Sequence, residues 1–319
     1  MRGRTLVYVD AGYLLASAAT RVAGTSLRGS IDVDHARLMD ALAAHATSRS
    51  GLPLLRVHWY DAARNGVPDP SQEQISLLPR VKLRLGRIGV EGDQKGVDLR
   101  IGLDLVTHAR NQAVSAIYLV SGDDDLSEAV EAAQEHGVAV TILAVPTAGG
   151  EPHGVSRHLH AAADELDLLE PEPLDHAVTP RALKPTETPA RSRPSRPTPA
   201  VLATPAAAPR TPPEEPGAGI VCSSTSDAGT TIASGYETEE ELIEFCDRVA
   251  GRVLTTWLRG RSDERHAELT TSRPSIPGEV DKALLLDLSS ALGIDDLSDR
   301  VRHQLRTRFW LQVDRCNPA

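Results

Sequence analysis

The chain has 319 residues, 44 acidic against 34 basic side chains, and a net charge of −10 at pH 7; the length points to two domains rather than one, and the acidic balance argues against a broad electrostatic grip on nucleic acid. No apolar run of about 18 residues occurs, which argues against a helical membrane span, and Met1-Arg2-Gly3-Arg4 leads into an apolar segment with no signal-peptide core before it. Aromatics make up 3 % of the chain, so stacking on bases has few rings to draw on, and Cys222, Cys246 and Cys316 follow neither a disulfide-framework nor a zinc spacing, which makes the cytosol the expected compartment.

Thr5-Leu6-Val7-Tyr8-Val9 reads as a buried strand, and a helix is expected from near Gly12. The helical recurrence of Leu38, Leu42 and Ala46 predicts a helix over 33–46. A second strand is expected over 54–60, with Asp61 at its end, and Pro68-Asp69-Pro70-Ser71 opens a short helix reaching Leu77. The segment 81–88 alternates with period two, as a strand with one wet face does. A helix carrying Asp98 runs to about Arg110, and a fourth strand ends at Val120. The next helix spans 124–136, with Gly137 as its C-cap. A fifth strand covers 138–145, residues 146–155 form a loop, and a short helix over 156–164 closes the domain. This β-α alternation predicts a mostly parallel sheet with helices on both faces, in the order third, second, first, fourth, fifth strand.

From about Pro171 to Gly235 the composition shifts to Pro, Thr, Ala, Ser and Arg, which reads as a disordered linker between a domain of residues 1–170 and a module of residues 236–319. The cluster over 191–196 reads either as solubilising charge or as a phosphate contact. Beyond the linker, Thr238-Glu239-Glu240-Glu241 is a capping-box pattern. Leu242, Cys246, Val249, Val253 and Trp257 then trace one helical face. A second apolar segment carries Leu284, Leu285, Leu288 and Leu292, and Val301, Leu305 and Phe309 mark a last helix. A small helical module is expected, with Arg300, Arg302, Arg306 and Arg308 forming either a basic face or a plain solvated one.

The chemistry concentrates in three acidic segments. Val9-Asp10-Ala11-Gly12 and Ser121-Gly122-Asp123-Asp124-Asp125 each follow a predicted strand and precede a predicted helix. Lys95-Gly96-Val97-Asp98 starts a helix, with Asp98 in its first turn. Asp at a helix start is an ordinary cap or a partner for the helix dipole, and that reading stands for each residue taken singly. In the expected strand order the first and fourth strands abut, so Asp10 and the 123–125 group face one crevice at the carboxyl ends of the strands. Carboxylates crowded there repel one another. A hard divalent cation with oxygen ligands offsets that repulsion and supports attack of water on a phosphodiester.

These three segments, in this order, resemble the NYN branch of PIN-like nucleases over about the first half of the chain. The resemblance implies a PIN-like (Rossmann-like) α/β fold and a Mg²⁺- or Mn²⁺-dependent ribonuclease. It also implies Asp10, Asp98, Asp123 and Asp125 as catalytic metal ligands. Ser121, Lys95 and Arg100 are the candidate substrate contacts. Two positions depart from the family pattern: Tyr13 stands where Asn is usual, and Leu126 where Phe is usual. Asp124 is expected to point away from the site, Asp164 to be structural, and Asp61, Asp104, His158 and His160 to lie outside the chemistry.

Other acidic-pocket readings fit less well. A haloacid-dehalogenase-like phosphatase needs a second Asp two residues after the first, where Gly12 stands, and no Gly-x-Gly-x-x-Gly follows any strand to bind a dinucleotide. A receiver domain lacks its phospho-acceptor strand and late Lys. Two functions from different classes remain. One is a nuclease acting on RNA, with the C-terminal module recruiting substrate or a protein partner. The other is a catalytically weak scaffold that binds RNA or protein.

Overall fold

The computed structural model describes residues 3–88, 94–181, 236, 238–259, 262–294 and 296–316. Packing divides the chain into one compact unit of Met1–Lys184 with Ser234–Ala319 and another of Pro185–Ala233. The second unit lies outside the described residues, and so do Cys222, the arginine cluster over 191–196 and most of the expected linker.

In chain order the described elements are β1 (Thr5–Asp10), α1 (Ala11–Ala23), β2 (Ile31–Val33), α2 (His35–Ser50), β3 (Leu54–Arg64), α3 (Pro70–Ser76), β4 (Val81–Ile88) and β5 (Gln94–Lys95). They continue with α4 (Val97–Arg110), β6 (Ala116–Val120), α5 (Ser127–Glu135), β7 (Ala139–Ala144), α6 (Arg157–Ala162), β8 (Glu165–Leu168), α7 (Pro171–Ala177) and β9 (Val178–Pro180). The C-terminal module contributes α8 (Glu239–Leu258), α9 (Ser262–Ser272), α10 (Gly278–Leu292) and α11 (Asp299–Cys316).

The main sheet runs β5-β4-β3-β1-β6-β7-β8. Its strands are parallel except β5, which pairs antiparallel at the edge. The expected five-strand order is therefore present, extended by a strand at each edge. β1 is buried along its whole length, as a central parallel strand covered on both faces must be. Val7 and Val9 face a layer built from α1, α2 and α7. Leu6 and Tyr8 face the opposite layer, built from α4 and α5. Asp10, the last residue of β1, emerges where the two layers part.

The α/β fold does not close at residue 170. β8 pairs parallel with β7, and β9 pairs antiparallel with β2. Asp34 donates its N–H to the Ala177 carbonyl at 2.8 Å. Arg21 grips Asp175 with two hydrogen bonds of 2.7 Å each. The Pro-rich composition that reads as linker begins while the chain is still tied to the domain. The Pro at the start of α7 sits where its missing N–H has no intrahelical partner to lose.

The helical module is not a separate body. Its core includes Cys246, Trp257, Leu284, Leu288, Leu305 and Phe309, and Leu27 of the α/β fold inserts among them. Thr238 caps α8 by accepting the Glu241 N–H at 3.2 Å, as the capping pattern predicts. Of the two readings open for the α11 arginines, a basic face is the one the structure disfavours, since each is paired with a carboxylate: Arg300 with Glu239, Arg302 with Asp296, Arg306 with Asp281 and Arg308 with Asp247. Among the described residues no helix is long and apolar enough to cross a membrane.

Candidate active site

β1 and β6 lie side by side in parallel register, Val9 beside Val120. This adjacency brings their following turns together. Ser121 is fully buried; its Oγ lies 3.5 Å from Asp10 Oδ2 and accepts the Asp123 N–H at 3.3 Å. The serine thus bridges the two acidic segments. Asp98 comes from the third segment. Gly96 precedes it with a φ of +77°, a left-handed conformation that glycine adopts without a steric penalty, and α4 begins directly, with Asp98 in its first turn.

Asp10, Asp98 and Asp123 line one cleft of about 740 Å³. Asp10 is 9 % exposed. Burial, then the Asp98 charge, push its carboxyl up to about 6, against the pull of Arg28 and of backbone N–H groups. Burial and the charges of Asp123 and Asp125 likewise raise Asp98. Asp125 does not line the cleft but lies within electrostatic reach of Asp98. The capping role expected of any single Asp is real as well. Asp10 Oδ1 accepts the Gly12 N–H at 2.8 Å, and Asp123 Oδ1 accepts the Asp125 N–H at 3.1 Å. In Asp10 the two roles divide between oxygens, Oδ1 capping α1 and Oδ2 facing Ser121.

The donor set is all carboxylate oxygen, which suits a hard divalent cation, and the mutual repulsion of Asp10 and Asp98 is the electrostatic condition that such a cation relieves. Among the described residues, no three His, Cys, Asp or Glu side chains are already gathered closely enough to hold an ion. The carboxylates share a cleft without forming a finished coordination shell.

The other expected residues fall as follows. Lys95 lies in β5, and its side chain is outside the described residues. Arg100 does not reach the acidic cleft: it lines a second cleft of about 770 Å³ with Arg84, Arg87, Leu99 and Leu103. Positions two apart on a helix point away from each other, so Asp98 and Arg100 cannot serve the same site. Asp104 is spent internally, accepting from Arg84 at 2.7 and 2.5 Å and from Tyr60 at 2.9 Å. Asp124 turns to Ser156 and His158, and Asp164 accepts the Val140 N–H; both lie outside the site, as expected. Tyr13 does not occupy the acidic cleft in place of an amide. Its hydroxyl donates to the His153 carbonyl at 2.7 Å and accepts the Val145 N–H at 3.3 Å.

Two cations of the cleft have no local signature in the sequence. Arg28 projects from the turn after α1 and lies 3.8 Å from Asp61. Lys282 comes from α10, which forms the facing wall with Glu279, Asp281 and Leu286. One clue was present: Asp287 interrupts the apolar run of α10, and a carboxylate in such a run implies a buried partner. It accepts the Ser26 N–H at 2.8 Å and so fixes α10 beside the cleft.

A curated relative, the uncharacterized protein y4oD of Sinorhizobium fredii (strain NBRC 101917 / NGR234), is 40 % identical over 101 residues, covering 32 % of this chain. The match spans about half (47 %) of that relative's length. A crystal structure of a protein of unknown function from Vibrio parahaemolyticus RIMD 2210633 matches with a TM-score of 0.37 and 22 % identity, covering 54 % of this chain and 95 % of that one. The NYN domain family matches residues 4–169. The chain therefore belongs to the NYN domain family, a nuclease-like family.

Proposed function

We propose that this protein is a metal-dependent ribonuclease that hydrolyses RNA phosphodiester bonds, with Asp10, Asp98 and Asp123 as the principal metal-holding residues and Asp125 at their margin. The single observation that carries this reading is the meeting of three carboxylates from three separate segments in one cleft at the carboxyl end of β1 and β6. A bound Mg²⁺ or Mn²⁺ would supply Lewis-acid activation of the phosphodiester and of water. The chain's own part is positional. Ser121 holds Asp10 Oδ2 toward the cleft, the capping bonds orient Asp10 and Asp123, and no Ser or Cys nucleophile is required.

Incubation of the full chain with single-stranded RNA, with and without Mg²⁺ or Mn²⁺, tests the reading. Cleavage should require the metal and fall about 10²-fold or more in Asp10→Asn, since loss of a ligand weakens both activation and charge stabilisation. A second reading, an RNA-binding adaptor, is favoured by one observation: Arg87 and Arg100 line a separate cleft away from the carboxylates. Metal-independent RNA binding without cleavage in either metal would favour it.

A further inference from the structure

The acidic cleft has one wall that the NYN fold does not make. α10 contributes Gly278, Glu279, Asp281, Lys282, Ala283, Leu285 and Leu286. It is docked by three contacts to the segment after α1. Asp287 Oδ1 accepts the Ser26 N–H at 2.8 Å, Ser26 Oγ donates to the Ala283 carbonyl at 3.3 Å, and Glu279 accepts the Gly29 N–H at 3.2 Å. Asp287 is 4 % exposed and also faces Arg252 at 3.6 Å. A wall held by a buried carboxylate is a fixed part of the cleft.

On that wall the acidic side chains are already engaged. Asp281 is gripped by Arg306 through two bonds of 2.7 Å, and Glu279 holds Gly29. Lys282 is different. Among the described residues it forms no ion pair within 4 Å, yet it stands in the field of Asp10, Asp98, Asp123 and Arg28. Its side chain keeps solvent exposure, as a group lining an open cleft must. Arg28 faces the same carboxylates from the opposite module, with Asp61 its nearest anion.

The charges of the cleft balance in two ways. With the carboxylates bare, Lys282 and Arg28 are their counter-ions. With a divalent cation on the carboxylates, both basic groups are released toward an anion, and the anion that accompanies such a cation in a nuclease is a phosphate. A phosphate is met well by Arg as a forked donor and by Lys as a point charge.

We propose that Lys282 of the helical module and Arg28 of the NYN domain together form a clamp for an RNA phosphate, so that the C-terminal module completes the substrate site. The proposal rests on the nuclease reading for the identity of its ligand. A clamp built across a walled cleft suits a flexible single strand, which can thread between the walls, over a rigid duplex.

The test uses the full chain, a fluorescein-labelled single-stranded RNA, and the variants Lys282→Ala and Lys282→Arg. In Mn²⁺, Lys282→Ala should weaken RNA binding by anisotropy about ten-fold, the scale of one lost hydrogen bond to a charged group. Lys282→Arg should restore most of that affinity. Where cleavage is seen, KM should rise while kcat changes by less. Mn²⁺ binding read by electron paramagnetic resonance should be unchanged or tighter in Lys282→Ala, because a competing cation has gone. If wild type fails to cleave but its Mn²⁺-dependent RNA affinity still falls in Lys282→Ala, the nuclease reading fails and the clamp stands. Cleavage by wild type with unchanged KM and affinity in Lys282→Ala overturns the clamp alone. Tighter binding or faster cleavage in Lys282→Ala also overturns it, making Lys282 a plug. A lowered melting temperature that Lys282→Arg does not restore overturns it in favour of a structural lysine.

Discussion

Asp287 and Ser26, 261 positions apart in the chain, are joined by a 2.8 Å hydrogen bond from the Ser26 N–H to a carboxylate that is almost fully buried. That bond, with Leu27 seated in the helical core, makes the NYN fold and the C-terminal module one unit. With a protease site engineered between positions 190 and 230, cutting the chain should leave two fragments that co-elute on gel filtration. Asp287→Ala leaves the Ser26 N–H unpaired in a buried place, at a cost of about 1–3 kcal/mol. The cut variant should therefore separate into two peaks at lower concentration than cut wild type. Separation of the wild-type fragments at micromolar concentration would show that the docking is weak.

The raised carboxyl of Asp10 has a measurable sign. Burial and the Asp98 charge raise it to about 6 in the folded chain, against 3.8 for a free aspartate, so the folded state holds its proton over a window in which the unfolded state has released it. Stability supplied by protonated Asp10 is fully present below about pH 4 and lost as pH rises to about 6. A displacement of about two units corresponds to roughly 3 kcal/mol. In chelator, Asp10→Asn should match wild type near pH 4 and exceed it by up to that amount at pH 7.5, with the gap read from denaturant melts. Added Mg²⁺ should narrow the gap by stabilising wild type only. A constant difference across the range would mean that Asp10 is not strained by its neighbours.

Gly122 tests how the 121–125 turn is held. A Cβ there would fall 1.8 Å from the Gly154 carbonyl oxygen and 2.9 Å from the Tyr13 ring. The carbonyl is backbone and cannot swing aside. Gly122→Ala should thus lower the melting temperature by several degrees, in line with strain of about 1–3 kcal/mol, and weaken Mn²⁺ binding by moving Asp123. An unperturbed melting temperature and metal affinity would show that the late loop yields easily.

The arginines of the second cleft should separate by role. Arg84 is bound to Asp104, which is 9 % exposed. Arg84→Ala leaves that carboxylate without its cation and should cost roughly 2–3 kcal/mol, at or below the foot of the range for a fully buried pair because Arg84 keeps some exposure. Arg100→Ala lies on an exposed helix surface and should leave the melting temperature within about 1 °C of wild type, as surface changes do. If RNA uses this cleft, Arg100→Ala alone should lower affinity and flatten its salt dependence.

What was legible in the sequence was what local pattern encodes. The run from Thr5 to Val9 has no polar break, so its burial and the exit of Asp10 at its end follow directly. The strand order then sets Asp10 against the 121–125 turn, because parallel strands with helical crossovers leave few alternatives. β2 and β9 are three residues each, too short to show a period, and their pairing spans almost the whole α/β fold. Tyr13 stands where an amide is usual, but its reach to His153 depends on a loop 140 residues away, which position alone does not encode. Arg28 and Lys282 carry no spacing signal, since their meeting is set by the docking of two modules. The choice between a basic and a plain face on α11 was open for a related reason: single-helix periodicity counts arginines but not the carboxylates that neighbouring helices bring to them.

The placement of α10 also has a temporal consequence for the growing polypeptide. Residues 3–181 leave the ribosome well before residues 278–292, and N-terminal units generally fold first during synthesis. The acidic cleft thus exists first as an open trough, beside a nascent chain and its message, with its carboxylates facing no lysine. Only the arrival of the late helix gives it a second bank, so the proposed Lys282 clamp forms after α10 has emerged rather than with the folding of the NYN domain.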